Sequence, residues 1–346
     1  MSVIDCDVHN VVGPIETLQP YLDAHWREVI ATSQFAGPTD QAHPPNLATS
    51  VRTDLPSGDG APGHTVAATR AQLLDRLGIE LAILSCDYGV ESVRNPDAAV
   101  ALARAVNEWQ VSEWLEREPR LRAAIVVPSQ QPASAVHAIE HWAADPRFVA
   151  VYLPVRSAIP YGNRMWWPLW EAIVRHELVA ELHFGGSAGV PPTAAGWPTT
   201  WLEEYVDMAS AFAAQLTSLV AEGTFDRFGE LRLSLIESGF AWLPAFLWRF
   251  DKGWRGLRRE VPWTTRLPSE YVRDHVRVSL QPVDGPPEPA ELLRVIDQLG
   301  SERMLMFSSD YPHRHVTEDL AAVPAGIGPA LADRMLAGNA REHYRL

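Results

Sequence analysis

Short apolar runs rich in β-branched residues recur along the chain, and stretches with helical spacing separate them. Such runs are typical of buried parallel strands. The runs cover residues 2–6, 79–86, 122–128, 148–155, 178–184, 231–237, 275–280 and 303–309. Helices are predicted near residues 65–77, 95–118, 132–144, 165–176, 200–222, 288–299 and 327–337. Eight strands that alternate with helices predict a closed (β/α)8 TIM barrel.

The rival fold is an open doubly wound sheet, which normally has a glycine-rich turn after its first strand. Here the first strand runs into "DVHNVVG" instead. Two regions, residues 10–64 and 185–200, are rich in proline and glycine and follow strands, so we expect loop or lid insertions there. We found no repeat or linker, so residues 1–346 are predicted to form a single domain.

The two faces of the first predicted strand differ in polarity. Alternate residues of a strand point to opposite faces. One face carries Asp5, Asp7 and His9, and the other carries Ile4, Cys6 and Val8. We expect the apolar face to pack against helices and the polar face to point into the barrel. A carboxylate and an imidazole buried together are costly without a partner. A divalent metal is the simplest partner.

Polar residues follow every predicted strand, at the end where barrel enzymes hold their active sites. They are Asp7, His9, Cys86, Asp87, Ser129, Gln130, Arg156, His183, Glu237, Gln281 and Asp310. We predict that Asp7, His9, His183 and Asp310 bind a divalent metal. This mixed nitrogen and oxygen set favours zinc first, with manganese or iron as alternatives. Taken singly, His183 could also be a core histidine with its hydrogen bonds satisfied. Asp310 could also be an aspartate that begins a turn.

Composition narrows the classes of partner. The chain has 29 basic and 43 acidic residues and a formal net charge of −14, which argues against nucleic acid or an anionic membrane surface as the main partner. Cys6 and Cys86 are the only cysteines, so no disulfide framework is expected. The sequence lacks an apolar run of the roughly 20 residues that a membrane helix needs, and it lacks a signal-peptide pattern. These features predict a cytoplasmic protein.

Several segments resemble the amidohydrolase superfamily. They are "IDCDVH" (4–9), "ELHFGG" (181–186), "LIESGFAWLPAFLWRFD" (235–251), "MFSSDYPHRH" (306–315) and "AGNAREHYRL" (337–346). They look most like the amidohydrolase-related branch that holds aminocarboxymuconate-semialdehyde and resorcylate-type decarboxylases. The resemblance implies a barrel with a metal at its mouth. Carried over by position, it also implies Asp7, His9, His183 and Asp310 as ligands.

The sequence departs from the family pattern at two places. Many relatives begin with His-x-His, whereas the first position here is Asp7. Members with two metals bridge them with a lysine after strand 4, where this chain has "AVYLPVRSA" (150–158), and its one lysine is Lys252. A lysine-bridged pair is therefore excluded. A second metal remains open, and its candidate ligands are Asp87, Glu181, Glu237 and His313.

A metal at this site suits two reactions. It can lower the pKa of a bound water for hydrolysis, or it can hold a substrate carboxylate while CO2 leaves. Asp310 is predicted as a ligand that also transfers a proton, and His183 belongs to the same catalytic set. His313 is predicted to orient the substrate or Asp310. Glu237 is predicted as a proton donor or as an anchor for an arginine, and Arg156 as the group that holds a substrate carboxylate.

The sequence therefore predicts a metal-dependent decarboxylase or hydrolase of a small carboxylated, aromatic or cyclic substrate. Two alternatives keep the fold: a subunit of an oxygen-dependent iron or manganese enzyme, and a non-catalytic metal-binding partner subunit. A tryptophan-rich segment at 242–263 favours a subunit interface over a pocket wall. We expect a homodimer or higher oligomer, with a homologous subunit as a further alternative.

Overall fold

Eight parallel strands form a barrel in the computed structural model, which describes residues 2–38, 55, 60–186, 189–314 and 323–346. The strands are β1 Ile4–Val8, β2 Leu81–Leu84, β3 Leu121–Val126, β4 Phe148–Pro154, β5 Val179–His183, β6 Arg232–Ile236, β7 Val276–Ser279 and β8 Leu305–Met306. Each strand pairs with the next one in the chain. The Cys6 amide donates to the Phe307 carbonyl at 3.0 Å and so joins β8 to β1. The predicted (β/α)8 TIM barrel is confirmed.

Helices follow the strands, as the apolar periodicity predicts. The α-helices are Ala24–Thr32, Val66–Thr69, Asp75–Leu77, Pro96–Trp109, Pro132–Trp142, Trp167–Arg175, Trp201–Ala221, Thr224–Arg227, Leu243–Leu257, Pro268–His275, Pro289–Gln298, Pro329–Asp333 and Asn339–Tyr344. Shorter 3-10 or π-type segments are Ile15–Tyr21, Arg70–Leu74, Val90–Ser92, Gln110–Leu115, Arg164–Trp166 and Arg334–Gly338. None of these described helices is long and apolar enough to span a bilayer.

Local signals account for the best-predicted helix boundaries. The Asn95 side chain accepts hydrogen bonds from the amides of Asp97 and Ala98, and Pro96 occupies the first turn. Thr200 and Glu203 form a capping box at the start of Trp201–Ala221. Helices were missed at Ala24–Thr32, which lies in the region 10–64 predicted to be loop and is capped by Asp23, and at Pro268–His275. The lid role of the regions 10–64 and 185–200 stays a prediction, because residues 39–54, 56–59 and 187–188 lie outside the described ranges.

Alternate strand positions pack into two separate apolar clusters. The smaller cluster contains Ile4, Cys6, Ile83, Ala124, Ala150, Tyr152, Val179, Met306 and Tyr344. It joins side chains from six strands, so it must fill the barrel interior. The larger cluster contains intervening positions, such as Ala82, Leu84, Val151 and Leu153, together with helix residues. It is therefore the layer between the barrel and its helices.

The expected orientation of β1 is wrong for its first half. Ile4 and Cys6 belong to the interior cluster, whereas Val8 belongs to the outer layer. The register explains the change, because Asp5 pairs with Ala82 and Val8 pairs with Leu84. Three steps along β1 therefore match two along β2, which is a β-bulge. The bulge lets Cys6 fill the barrel while Asp7 and His9 still reach its mouth.

The C-terminal segment closes the other end of the barrel. Tyr344 packs in the interior cluster, and its neighbours Leu81 and Val149 lie at the amino-terminal ends of strands. The Tyr344 hydroxyl donates to Glu181 Oε1 at 2.8 Å and lies 2.9 Å from Ser234 Oγ. The C-terminal segment thus fills the barrel interior from its amino-terminal end, opposite the mouth.

Candidate metal centre

Acidic and histidine side chains from four strand ends converge at the barrel mouth. Asp7, His9, His183 and Glu237 each offer a ligand atom, and these atoms all lie within 4.8 Å of one another. His9, Glu237, Asp310 and His313 form a second group by the same measure. The two groups share His9 and Glu237, so they form one continuous site. Together they bring Asp7, His9, His183, Glu237, Asp310 and His313 into contact range.

His9 approaches all three carboxylates of the cluster. Its Nε2 atom lies 3.0 Å from Asp310 Oδ1, 3.3 Å from Glu237 Oε1 and 3.6 Å from Asp7 Oδ1. On the opposite side, His183 Nε2 lies 3.4 Å from Asp7 Oδ1. The other ring nitrogen of His183 lies 2.9 Å from the Phe184 carbonyl. That contact favours a proton on Nδ1 and turns Nε2 toward the cluster as a free ligand atom.

Left-handed backbone at two positions turns carboxylates into the site. Glu237 has φ 58° and Asp310 has φ 53°, values that non-glycine residues rarely adopt. By strand alternation Glu237 shares a face with Leu233 and Leu235, which pack in the outer layer. The backbone turn at Glu237 breaks that alternation and carries its carboxylate to the mouth. Strained backbone of this kind is concentrated at functional sites.

Neighbouring loops hold these turns in place. The Glu237 amide donates to Ser279 Oγ at 2.9 Å, and Ser279 Oγ donates to the Gln281 carbonyl at 3.0 Å. Asp284 accepts hydrogen bonds from the amides of Phe240 and Ala241 at 3.0 and 3.1 Å. The loop after β7 therefore fixes the loop after β6. Sequence reasoning missed Ser279 and Asp284, because nothing local marks a serine or an aspartate as a support for a distant loop.

Carboxylates dominate the electrostatics of the histidines. Burial lowers the pKa of His9, yet Asp7, Asp310 and Glu237 hold it well above its usual range. Burial also opposes protonation of His183, but the charge of Glu237 and the contact with Asp7 raise its pKa to about 9. For His313 the charge of Asp310 outweighs burial and raises the pKa to about 10. Negative charge at this site thus attracts protons, and it would attract a cation in the same way.

A metal ion fits the donor set. Asp7 Oδ2 and His9 Nε2 are buried and make no hydrogen bond of good geometry within the described part of the chain. Unsatisfied buried polar atoms are costly, so such atoms need a partner. Both point into a cluster with three carboxylates and three imidazoles. A divalent cation would satisfy them together.

Other acids named by the sequence lie outside the cluster. Asp87 Oδ1 accepts a hydrogen bond from the Tyr152 hydroxyl at 3.1 Å, and Glu181 binds Tyr344. Of the candidates for a second metal, only Glu237 and His313 join the two groups of possible ligands. Burial raises the pKa of Glu181 to about 8, which favours its neutral form near neutral pH. Glu181 is thus placed as part of the barrel interior.

Arg156 lies after β4, and its guanidinium forms an ion pair with the buried carboxylate of Glu204. Arg156 is not among the possible metal-binding groups. Its Nε atom is buried and has no hydrogen-bond partner among the described residues. A donor is thus left for a ligand, and the substrate-binding role of Arg156 stays a prediction. Glu204 was missed by the sequence reasoning, since a glutamate in a first helical turn reads as an ordinary helix-start residue.

A model of the amidohydrolase family matches residues 4–346. The chain therefore belongs to the amidohydrolase family, and the resemblance noted in the sequence is confirmed. The match covers both the ligand-bearing strand ends and the C-terminal segment that fills the barrel.

Individual relatives are more distant. A gamma-resorcylate decarboxylase from a Rhizobium species is 26% identical over 297 residues, which are 80% of this chain and 86% of the relative. The crystal structure of 2,6-dihydroxybenzoate decarboxylase from Rhizobium has a TM-score of 0.72 and 21% identity over 100% of this chain and 99% of that chain. A 5-carboxyvanillate decarboxylase from Novosphingobium aromaticivorans, complexed with manganese and 4-hydroxy-3-methoxy-5-nitrobenzoic acid, has a TM-score of 0.73 and 18% identity over 100% of this chain and 96% of that chain. The two structural likenesses show a shared fold.

Proposed function

We propose that this protein is a metal-dependent decarboxylase of small aromatic carboxylic acids. The observation that carries the proposal is the six-residue cluster at the barrel mouth, in a chain of the amidohydrolase family. The named relatives are decarboxylases of hydroxylated aromatic acids. An oxygen-dependent enzyme or a non-catalytic partner subunit is not favoured, because neither is found among these relatives. Hydrolysis is the remaining alternative reaction.

The metal is proposed to bind Asp7, His9 and His183, with Asp310 from the adjoining end of β8 as the fourth ligand. Glu237 Oε1 lies 3.3 Å from His9 Nε2 and adds a third carboxylate to the cluster. Imidazoles suit zinc, whereas a set with three carboxylates suits manganese equally well. Manganese is the ion bound to the carboxyvanillate decarboxylase. Zinc as the preferred ion stays a prediction. When bound, the metal supplies positive charge that holds the substrate's carboxylate and a neighbouring oxygen.

The residues around the cluster account for the proton that decarboxylation consumes. A ring carbon loses CO2 and gains hydrogen, so a proton must reach that carbon. Asp310 is proposed to deliver it, and His313 Nδ1 lies 2.8 Å from Asp310 Oδ1. Because the pKa of His313 is raised to about 10, its imidazole is protonated at neutral pH and can return a proton to Asp310. The electron pair of the broken carbon–carbon bond stays with the ring and restores its aromaticity.

The remaining site residues are proposed to position the substrate. The Arg156 guanidinium supplies a buried donor on the β4 side of the mouth, and a carboxylate is its natural ligand. Glu237 approaches both His9 and His313, at 3.3 and 3.4 Å. It is proposed to keep these imidazoles oriented toward the metal and toward Asp310.

The test begins with the full chain stripped of metal by a chelator and reloaded with manganese or zinc. CO2 release is measured from 2,6-dihydroxybenzoate and 5-carboxyvanillate, and metal content is measured by elemental mass spectrometry. We expect about one metal per chain and turnover only after reloading. The double variant Asp7→Ala/His9→Ala should lose both the bound metal and the turnover.

The control is Asp297→Asn, a change on an exposed position of the helix Pro289–Gln298. It should keep metal content and turnover. CO2 release by metal-free protein, or by the double variant, would contradict the proposal. Ester or lactone hydrolysis without CO2 release would favour the hydrolase alternative.

A further inference from the structure

Three aromatic rings stand together beside the metal centre. Phe184 directly follows the ligand His183, and Trp201 and Tyr205 lie on the first turns of the helix Trp201–Ala221. The ring centroids are 5.7 Å apart for Phe184 and Trp201, 6.2 Å for Phe184 and Tyr205, and 6.1 Å for Trp201 and Tyr205. Their interplanar angles of 69°, 48° and 50° leave ring faces and edges turned outward as well as toward each other. We call these residues the aromatic wall.

The start of the helix Trp201–Ala221 contacts residues that follow β4 and β5. The capping box of Thr200 and Glu203 fixes its first turn. Glu204 reaches the β4 side of the mouth, where it pairs with Arg156. Trp201 and Tyr205 are four residues apart and therefore share one helix face, which contacts Phe184 at the end of β5. The helix is thus tied to two adjacent strand ends.

Tyr205 lies within electrostatic range of the acids at the barrel mouth. Burial is the main cause that raises the pKa of Tyr205 to about 12, and the charges of Glu237, Asp310 and Asp284 add to it. These three carboxylates follow β6, β8 and β7, so the charges that act on Tyr205 belong to the barrel mouth. Its side chain nevertheless stays 41% exposed. Aromatic surface that is open on one side and adjoins a polar cluster is typical of a binding site for a ring.

We propose that the aromatic wall receives the ring of the substrate and selects flat aromatic acids over saturated acids of the same size. This inference rests on the proposed function and adds the residues that set the substrate class. The carboxylate of the acid lies toward the metal centre and Arg156, and the ring lies against Tyr205 and Trp201. Aromatic contacts favour a flat π-system beyond the area that it buries, whereas a puckered saturated ring gains only the burial.

The test compares benzoate with cyclohexanecarboxylate as probes of the manganese-loaded full chain. Dissociation constants are measured by isothermal titration calorimetry, which needs no turnover. The parent protein is expected to prefer benzoate by roughly tenfold. Tyr205→Leu and Trp201→Leu should each lose most of that preference, whereas Tyr205→Phe should keep it. Metal content should be equal in all variants, because none of these residues is a ligand.

Leu202→Ala and Val206→Ala are the matched controls. They are the chain neighbours of Trp201 and Tyr205, and they are 70% and 68% exposed. Both should keep the preference for benzoate. Equal affinity for the two probes in the parent protein, or an unchanged preference in both leucine variants, would overturn the inference. If the preference follows the aromatic wall but no CO2 is released from any aromatic acid, the wall stands and the proposed reaction fails.

Discussion

At the scale of single residues, the metal centre consists of groups whose charges oppose their burial. Three carboxylates and three imidazoles share one site, and all except Glu237 and His313 are fully buried. The carboxylates raise the pKa of His183 to about 9 and that of His313 to about 10. An imidazole must be neutral to bind a metal, so protons and metal compete for the same atoms.

Metal affinity is therefore predicted to rise with pH. Between pH 6 and pH 9 the affinity for manganese or zinc should increase by up to roughly tenfold per pH unit for each histidine proton displaced. Competition with a chelator of known affinity measures it at each pH. His343 is the control residue, because burial holds its pKa well below the usual range and it is remote from the site. His343→Gln should leave the slope unchanged, and a flat profile in the parent would contradict the prediction.

Asp310 is predicted to matter for the chemical step more than for substrate binding. Asp310→Asn keeps a carbonyl oxygen near the metal but removes the proton carrier. We expect a loss of roughly 100-fold to 10,000-fold in kcat, with a small change in KM. Steady-state kinetics on a metal-loaded sample measures it. A comparable rise in KM with kcat unchanged would instead assign Asp310 to substrate binding.

At the scale of elements, three of the strand ends that supply the site depart from ideal geometry. β1 carries a bulge before Asp7, and Glu237 and Asp310 have left-handed backbone. Each departure costs free energy, of order 1–3 kcal/mol for a strained residue, and persists only where the surroundings hold it. For Glu237 the support is the hydroxyl of Ser279, a fully buried residue at the end of β7.

Ser279→Ala is predicted to loosen Glu237. The change leaves the Glu237 amide without its acceptor, so the free energy of unfolding should fall by about 1–3 kcal/mol. Turnover should fall as well, since Glu237 contacts His9 and His313. Chemical denaturation and kinetics measure the two effects. Ser301→Ala, on a loop before β8, should leave turnover unchanged. Equal effects of Ser279→Ala and Ser301→Ala on turnover would contradict the prediction.

At the scale of the whole molecule, buried acids on the barrel strands make stability depend on pH. Burial raises the pKa of Asp5 to about 7 and that of Glu181 to about 8. A raised folded-state pKa contributes stability below the unfolded value, and that stability is lost as pH rises through the folded value. The same sign holds for His183, with a folded-state pKa of about 9.

Metal-free protein is therefore predicted to lose stability as pH rises. The contributions of Asp5 and Glu181 decline from about pH 4 through pH 7 to 8, and that of His183 declines from about pH 6.5 through pH 9. Thermal unfolding in the presence of a chelator should give a lower Tm at pH 9 than at pH 6. Bound metal should oppose this decline, because it replaces the lost protons. A Tm of the metal-free protein that rises over this range would refute the prediction.

The barrel floor gives a prediction that separates stability from chemistry. Tyr344→Phe removes the hydroxyl that donates to Glu181 and contacts Ser234. The loss of this buried hydrogen bond should lower the free energy of unfolding by about 1–3 kcal/mol. Metal content and kcat should change little, because Tyr344 lies at the other end of the interior from Asp310. A large loss of metal in Tyr344→Phe would show that the floor supports the site.

Much of this architecture could be predicted from residue order alone. The period of apolar residues located eight strands and seven helices, and Asn95 marked one helix start. The positions of Asp7, His9, His183 and Asp310 at strand ends identified the mouth of the barrel. These signals are local: they depend on the period of a strand or helix and on the chemistry of adjacent side chains.

The direction of each side chain at the mouth was decided only by the tertiary structure. Simple alternation placed Ile4 and Cys6 on the wrong face and Glu237 with the outer layer, since a bulge and a left-handed residue depend on hydrogen bonds between distant strands. Glu204 beside Arg156 and Phe184 beside Trp201 and Tyr205 likewise join segments that are separate in the chain. Sequence alone therefore determined the barrel and its family. Packing between strands and loops decided which groups meet, because those contacts have no local pattern.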